Sequence, residues 1–520
     1  MQRDTRTVSG TLKRFSHFRY ALVAEGVMVG ALAGFVVVLF RVLLEKAAQL
    51  LALALAFGRA NSWFVPVWFA ILLAAAFVVA LLLRWEPYIS GSGIPQVEGE
   101  MQGQLKPNWW HVLAAKYAGG LLAIGCGLSL GREGPSIQLG AMTAKGFSRM
   151  TRRMRTEEKL LITCGASAGL SAAFNAPIAG VLFSLEEIHK NFSPEVLLST
   201  MASSITADFI SRYVFGLKPI FTFDIPQMMP MSHYGHVIAL GVILGFLGVL
   251  YNRTIALSQD LYQKLPYRTL RLAIPFLLAG VLGFTYPQVL GGGHPLVEAI
   301  STEQLALGAL CLLLTVKFLF SMISFGSGAP GGIFLPLLVM GAIIGGIYNG
   351  ALGEPALLGN FIILGMAGCF TAIVRAPITG IILISEMTGS FSHLLTLSIV
   401  TLFAYLVPDM LQCRPIYDQL LRRMLQDKKA GRMTPSGEKI LVDGTVFYGA
   451  SAVGRKVSDI IWPDSCLLVS VQRGDDEFIP KGSTHIRAGD RITLLCDESA
   501  TAEAHETLEE KCETVNIDRR

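Results

Sequence analysis

Hydrophobic residues in this chain gather in long runs, not at the sparse spacing of a soluble core. Apolar stretches of spanning or near-spanning length recur at 20–45, 62–83, 117–147, 159–187, 235–250, 272–283, 303–323, 334–352, 361–385 and 393–411, where about 20 residues are needed to cross a bilayer as a helix. Their unequal lengths and internal Gly and Pro predict broken and tilted helices instead of a straight bundle. After Arg423 the pattern changes. A polar linker at 427–437 leads into short runs at 467–471 and 491–495 that read as strands, with turns at 474–476 and 488–490. Helical spacing is expected at 453–461 and again after 500. The predicted architecture is an all-α polytopic membrane domain over 20–426, preceded by a short segment at 1–19. A small soluble α+β domain at 438–512 and a tail at 513–520 follow it.

Composition sharpens this picture. Only 16% of residues are charged and 52% are hydrophobic, against roughly 25% charged in a soluble globular protein. Net charge is +5, but residues 437–520 hold sixteen acids against ten bases, so the excess of positive charge lies upstream. It clusters at Arg3, Arg6, Lys13, Arg14 and Arg19, around 145–155 and 253–271, and from Arg414 to Lys429. Such clusters mark cytosolic loops, which predicts both termini on the cytosolic side and an even number of crossings. The basic excess is therefore topological, and no nucleic-acid partner is read from it. No removable signal sequence is recognised at the start. Eight cysteines lie scattered without CxxC pairs. They are expected to be buried small hydrophobes, with neither disulfides nor a metal centre, and no cofactor is expected.

The two halves repeat. Ala176-Pro177-Ile178-Ala179-Gly180 with Glu186 matches Ala376-Pro377-Ile378-Thr379-Gly380 with Glu386, and Gly165 matches Gly365, all at an offset of 200. Gly131-Arg132-Glu133-Gly134-Pro135 and Gly332-Ile333-Phe334-Leu335-Pro336 share a GxxxP frame at nearly the same offset. Membrane repeats of this kind frame a substrate site at their interface near the bilayer midplane.

Three segments have one design, glycines and a turn followed by Pro opening an apolar run. They are Gly91-Ser92-Gly93-Ile94-Pro95, Gly131 to Pro135, and Gly331-Gly332-Ile333-Phe334-Leu335-Pro336. Each reads as a helix start. A helix start presents unpaired N–H groups and the positive end of the dipole, which hold an anion without a full cationic side chain. Within a membrane such backbone persists only where it is buried in protein or lines a polar cavity.

These three motifs, in this order and with Tyr417 in Arg414-Pro415-Ile416-Tyr417, resemble the signature segments of the CLC family of chloride channels and chloride/proton exchangers over about residues 20–426. The resemblance implies the CLC fold with antiparallel, inverted halves, a multi-pass cell-membrane protein, and a homodimer with one pore per subunit. Chloride would be the substrate ion and protons the exchanged partner, which is transport and not enzyme chemistry. By motif, Ser92 and Tyr417 offer hydroxyls to a central anion, joined by backbone N–H groups of Ile333 and Phe334. Glu133 takes the place of the gating glutamate. Gly131, Arg132, Gly134, Gly332 and Lys116 support the anion path. Glu187, the second acid of Glu186-Glu187, aligns with the internal proton-transfer glutamate of many exchangers, which favours exchange over a passive channel. Lys116 and Lys317, in apolar helices, supply positive potential or pair with Glu386 or Glu186.

Residues 477–490 resemble the TrkA C-terminal type of regulatory module, found in prokaryotic transport proteins, over about 438–512. That resemblance implies dimerisation and a small cytosolic ligand of the nucleotide class. It also raises a potassium transporter as a rival, although the TVGYG carbonyl filter is absent. Gly165-Ala166-Ser167-Ala168-Gly169 formally matches a hydrolase nucleophile elbow, but lacks the strand before it and a His/Asp partner, and packing of small residues is favoured.

Overall fold

In the computed structural model, residues 8–513 are described apart from 154, 191, 224, 226, 303–304, 430–438, 464–465, 475 and 498–500. The start of the 1–19 segment, most of the expected linker and nearly all of the expected tail lie outside the described residues. The helices are α1 (Val8–Ala60), α2 (Phe64–Trp85), α3 (Ile94–Met101), α4 (Trp109–Gly125), α5 (Glu133–Met150), α6 (Arg155–Phe174), α7 (Pro177–Phe183), α8 (Pro194–Phe215), α9 (Tyr234–Gln263), α10 (Arg268–Thr285), α11 (His294–Thr302), α12 (Leu307–Gly326), α13 (Phe334–Leu352), α14 (Leu358–Val374), α15 (Pro377–Thr388), α16 (Leu394–Met410) and α17 (Ile416–Lys429). A π-turn at Ser184–His189 extends α7. Among the described residues, seven helices are long and apolar enough to cross a membrane. Large apolar side chains such as Phe77, Leu81, Phe209 and Phe246 face outward, whereas Lys116, Glu133, Gln138 and Lys317 are buried. That inside-out distribution suits a lipid surround.

The predicted break inside 117–147 is present, with residues 126–132 separating α4 from α5. Several elements depart from the hydropathy reading. α1 runs well beyond 20–45, to Ala60. α8 was not anticipated at all, because Ser199, Ser203, Asp208, Ser211 and Arg212 dilute its hydropathy. Those groups face protein instead of lipid. Ser203 Oγ donates to Cys164 O at 2.9 Å and Ser211 Oγ to Ala172 O at 3.0 Å. Short α11 was also missed.

Small residues set the packing. A Cβ on Gly30 or Gly34 of α1 would lie 2.8 and 2.9 Å from the Cα atoms of Ser203 and Ala207 on α8, the close-approach geometry of membrane helix pairs. A Cβ on Gly169 would lie 2.8 Å from Ser136 C on α5. The 165–169 run is thus a helix-packing surface and no nucleophile elbow. The pairing repeats between the halves, with α5 on α6 and α1 on α8 in the first, and α13 on α14 and α9 on α16 in the second.

By contact the chain divides into two compact units, Met1–Glu98 with Pro107–Gln419, and Gly99–Lys106 with Leu420–Arg520. In the second unit lies an antiparallel sheet in the order β1-β4-β2-β3, from β1 (Lys439–Thr445), β2 (Cys466–Arg473), β3 (Asp476–Phe478) and β4 (Arg491–Asp497), with α18 (Thr501–Leu508) behind it. Val442, Val471, Ile492, Leu494 and Leu508 form its core. The expected strands at 467–471 and 491–495 are present, while β1 and β3 were missed. The helix expected at 453–461 does not form beyond the single 3₁₀ turn Val457–Asp459. Gly454 takes φ +80°, and the N–H groups of Gly454 and Val457 donate to Ile486 O and Thr484 O, so that backbone belongs to a neighbouring loop. Of the cysteines, 164, 369, 496 and 512 are buried, as their apolar context suggested, whereas Cys311 is exposed.

Candidate functional site

The three glycine-rich segments converge as helix starts in the first unit. Gly91 and Gly93 take φ +62° and +97° on either side of Ser92, a turn that residues with a Cβ adopt at a cost. Gly331 N–H donates to Gly91 O at 3.0 Å. Gly131 and Gly332 exchange two backbone hydrogen bonds, each 2.7 Å, joining the loop before α5 to the loop before α13. Ser92 rests on Gly134, where a Cβ would stand 2.7 Å from Ser92 O. Glycine is therefore required at 134 by close approach.

Glu133 opens α5 and is wholly buried. Its Oε2 accepts from Leu335 N–H in the first turn of α13 at 3.4 Å, while Oε1 has no hydrogen-bond partner. The hydroxyls of Ser92 and Tyr417 are likewise buried and unpartnered. Three orphaned polar groups are costly in a protein interior and point to a ligand. Tyr417 stands at the start of α17, its ring edge-on to Phe183 at 6.3 Å, and Phe183 in turn meets Phe334 at 6.0 Å. Tyr417 is within electrostatic reach of both Glu133 and Glu187. The expected donors Ile333 and Phe334 lie at the same helix start, Ile333 as the cap residue and Phe334 as the first residue of α13. Helix starts that converge on buried hydroxyls can hold a small anion, and a carboxylate already resting on one of those N–H groups can compete with it.

Glu187 is half-buried in the π-turn, within electrostatic reach of Lys190, Asp418, Glu98 and Glu186. Its neighbour Glu186 is committed elsewhere, accepting from Thr379 N–H at 3.0 Å and Thr379 Oγ1 at 2.7 Å at the start of α15. Glu386 returns the contact, accepting from Ile178 and Ala179 N–H at 3.1 and 2.8 Å at the start of α7. The repeat thus caps each short helix with the other's acid.

This overturns the expected pairing of the buried lysines with those acids. Lys116 Nζ donates to Ile89 O and Gly91 O at 2.9 and 2.7 Å, and Lys317 Nζ to Val289 O and Gly291 O at 2.9 and 2.7 Å. The glutamates are occupied by helix N–H groups, and the ammonium groups donate instead to carbonyls of the turns before α3 and α11. Arg132 does not bond Glu133 but reaches Glu45 Oε1 at 3.8 Å.

Residues 74–409 match the family described as "Voltage gated chloride channel". The chain belongs to this family, the CLC proteins. Residues 445–509 match the TrkA-C domain. The H(+)/Cl(-) exchange transporter ClcA of Vibrio cholerae O1 is 36% identical over 438 residues, covering 79% of this chain and 91% of its own length. The transporter of the same name from Yersinia pestis bv. Antiqua is 33% identical over 382 residues, covering 71% and 80%. Among solved structures, a slow cyanobacterial Cl-/H+ antiporter superposes with TM-score 0.74 at 30% identity, covering 78% of this chain and 99% of that one.

Within this CLC chain, two features escaped sequence reasoning. The N–H that Glu133 engages is that of Leu335, one residue past the two expected. Pro336 has no N–H, so the donors of that first turn end at 335, a limit the GGIFLP motif does encode. The second is Lys190, which lies outside every motif singled out in the sequence. Its Nζ lies 2.7 Å from Glu98 Oε1 and 3.0 Å from Asp418 Oδ1.

Proposed function

We propose that this protein exchanges chloride for protons across the membrane, with Glu133 as the gate and Glu187 as the internal proton carrier. The observation that carries the reading is the Glu133 carboxylate itself, buried at the start of α5 and resting on Leu335 N–H of α13. In that place it holds a donor that an anion would use. Protonation removes its charge and its claim on that donor, so proton uptake and anion passage become alternatives at one position. The Ser92 and Tyr417 hydroxyls and the N–H groups of Ile333 and Phe334 coordinate the central anion. Hydroxyls suit transit because they hold chloride less firmly than a full cation would. Gly131, Gly134 and Gly332 permit the close approach, while Arg132 and Lys116 supply positive potential beside the path.

Supporting exchange over a passive channel are the acid at Glu187 and the relatives named as exchange transporters. The protein acts as a cell-membrane homodimer with both termini cytosolic. Residues 20–426 form its transport part, and 438–512 a regulatory module for a small cytosolic ligand of the nucleotide class. Reconstituted vesicles test the central claim. A chloride gradient should drive protons against their own gradient, and chloride flux with no proton movement would make the protein a channel.

A further inference from the structure

Two helices begin with the hydroxyls assigned to the anion, α3 just after Ser92 and α17 at Tyr417. What fixes their separation lies a turn or two along. Glu98, six residues after Ser92, is 1% exposed, and Asp418 directly follows Tyr417. The two carboxylates adjoin each other, an arrangement that repels unless a cation stands between them. Lys190 is that cation, at 2.7 Å from Glu98 and 3.0 Å from Asp418. It sits at the end of the π-turn that carries Glu187, with φ +55°. A left-handed conformation costs energy in a residue with a Cβ and persists where its surroundings impose it.

We propose that Lys190 is a positioning residue for the exchange reaction. Its ammonium straps α3 to α17 and thereby sets the spacing of the Ser92 and Tyr417 hydroxyls, while its backbone ties that spacing to the turn bearing Glu187. The inference rests on the central-site reading given above. It differs from a simple field effect in sign. A lysine acting only by its charge attracts the anion, so removing either carboxylate then tightens chloride binding. A strap is cut at either end, so removing Lys190, Glu98 or Asp418 loosens it.

Chloride titration calorimetry and paired chloride and proton fluxes on the full-length protein decide between them. Lys190→Gln, Glu98→Gln and Asp418→Asn should each weaken chloride binding, on the order of tenfold for the first two, and lower the proton-to-chloride ratio. Lys190→Arg, which retains the charge and both contacts, should recover most of the affinity. Tighter binding in Glu98→Gln or Asp418→Asn, or unchanged affinity and ratio in Lys190→Gln, overturns the proposal. Asp418 is about a third exposed, so its variant keeps the test open if burial of Glu98 makes the others fold poorly. Ser92→Ala is the reference. If it leaves affinity unchanged, the central-site reading fails first; if it weakens binding while the strap variants do not, only the strap is wrong.

Discussion

Replacing Tyr417 with Phe separates a hydroxyl that serves an anion from one that serves the fold. The ring is 1% exposed and meets Phe183 edge-on at 6.3 Å and 89°, a contact that phenylalanine keeps. The hydroxyl has no hydrogen-bond partner in the protein. A buried unpaired hydroxyl costs about 1–3 kcal/mol, whereas a hydrogen bond to a charged group contributes about 1.5–3 kcal/mol. Without chloride the variant should therefore be at least as stable as the parent. With chloride it should bind about 10- to 150-fold more weakly, at about 1.4 kcal/mol per tenfold. Linkage makes the two effects visible in one melt. At a chloride concentration of about 100 times the parent's Kd, binding stabilises the parent by about 2.7 kcal/mol, and a variant weakened about 30-fold by only about 0.9 kcal/mol. The assay is calorimetric titration together with thermal unfolding in isethionate and in chloride. An unchanged Kd and an unchanged chloride-dependent rise in Tm would refute the reasoning. So would a variant less stable in isethionate, because the hydroxyl would then have been satisfied by the protein.

The two acids separate by parallel chloride and proton fluxes across a pH series. Glu133→Gln should keep anion flux but lose proton coupling and most pH dependence; Glu187→Gln should lose proton movement yet keep a pH-dependent anion flux, because Glu133 still titrates. Full coupling in the Glu187 variant would reduce that residue to a charged helix end. Deleting 438–520 should leave anion transport intact and abolish any response to a cytosolic nucleotide, and loss of transport by a folded truncated protein would place the module within the transport machinery. In the C-terminal domain, burial opposes the charged form of Asp490, but hydrogen bonds from the Arg473 guanidinium and Arg487 N–H outweigh it and hold its carboxyl below the usual range. Its stabilisation is thus full above the unfolded carboxylate pKa of roughly 4 and is lost as pH falls through the lower folded value. Asp490→Asn should cost about 2 kcal/mol at neutral pH and flatten the acid limb of the 438–520 domain's unfolding curve; an unchanged acid limb would discount the pair.

Helix breaks and helix starts were legible in the sequence because Gly and Pro act locally, whereas Ser92, Glu133 and Tyr417 were singled out by resemblance to family motifs. α8 was not legible, because hydropathy scores a residue's own polarity while its environment is decided by what packs on it. Its Ser203 and Ser211 are satisfied by carbonyls 39 residues away in sequence, on α6. The strap at Lys190 spans separations of 92 and 228 residues, which no local pattern signals. For the buried lysines, pairing with Glu386 or Glu186 was one of two expectations, and it did not count the carbonyls of irregular turns as acceptors for an ammonium.

The lysines also show how far the two halves remain alike and where they part. Each half places a 3₁₀ turn, Pro87–Ile89 or Pro287–Val289, ahead of a glycine-flanked helix start, and a lysine on the second helix after the turn holds carbonyls there at matching distances. Inside that common frame the chemistry diverges. Ser92 corresponds to Gly292 and the opening Glu133 of α5 to the opening Phe334 of α13. The loops before α5 and α13 are joined at Gly131 and Gly332 by hydrogen bonds of 2.7 Å. A second acid at 334 would bring two buried carboxylates to one junction, where like charges disfavour joint ionisation, and would claim further N–H groups that the anion requires. An aromatic at 334 instead leaves the α13 start as donor only, able to receive either the Glu133 carboxylate or an anion. The duplicated frame supplies two converging helix starts, and the proposed gating role of Glu133 fits a frame in which only one of them carries the acid.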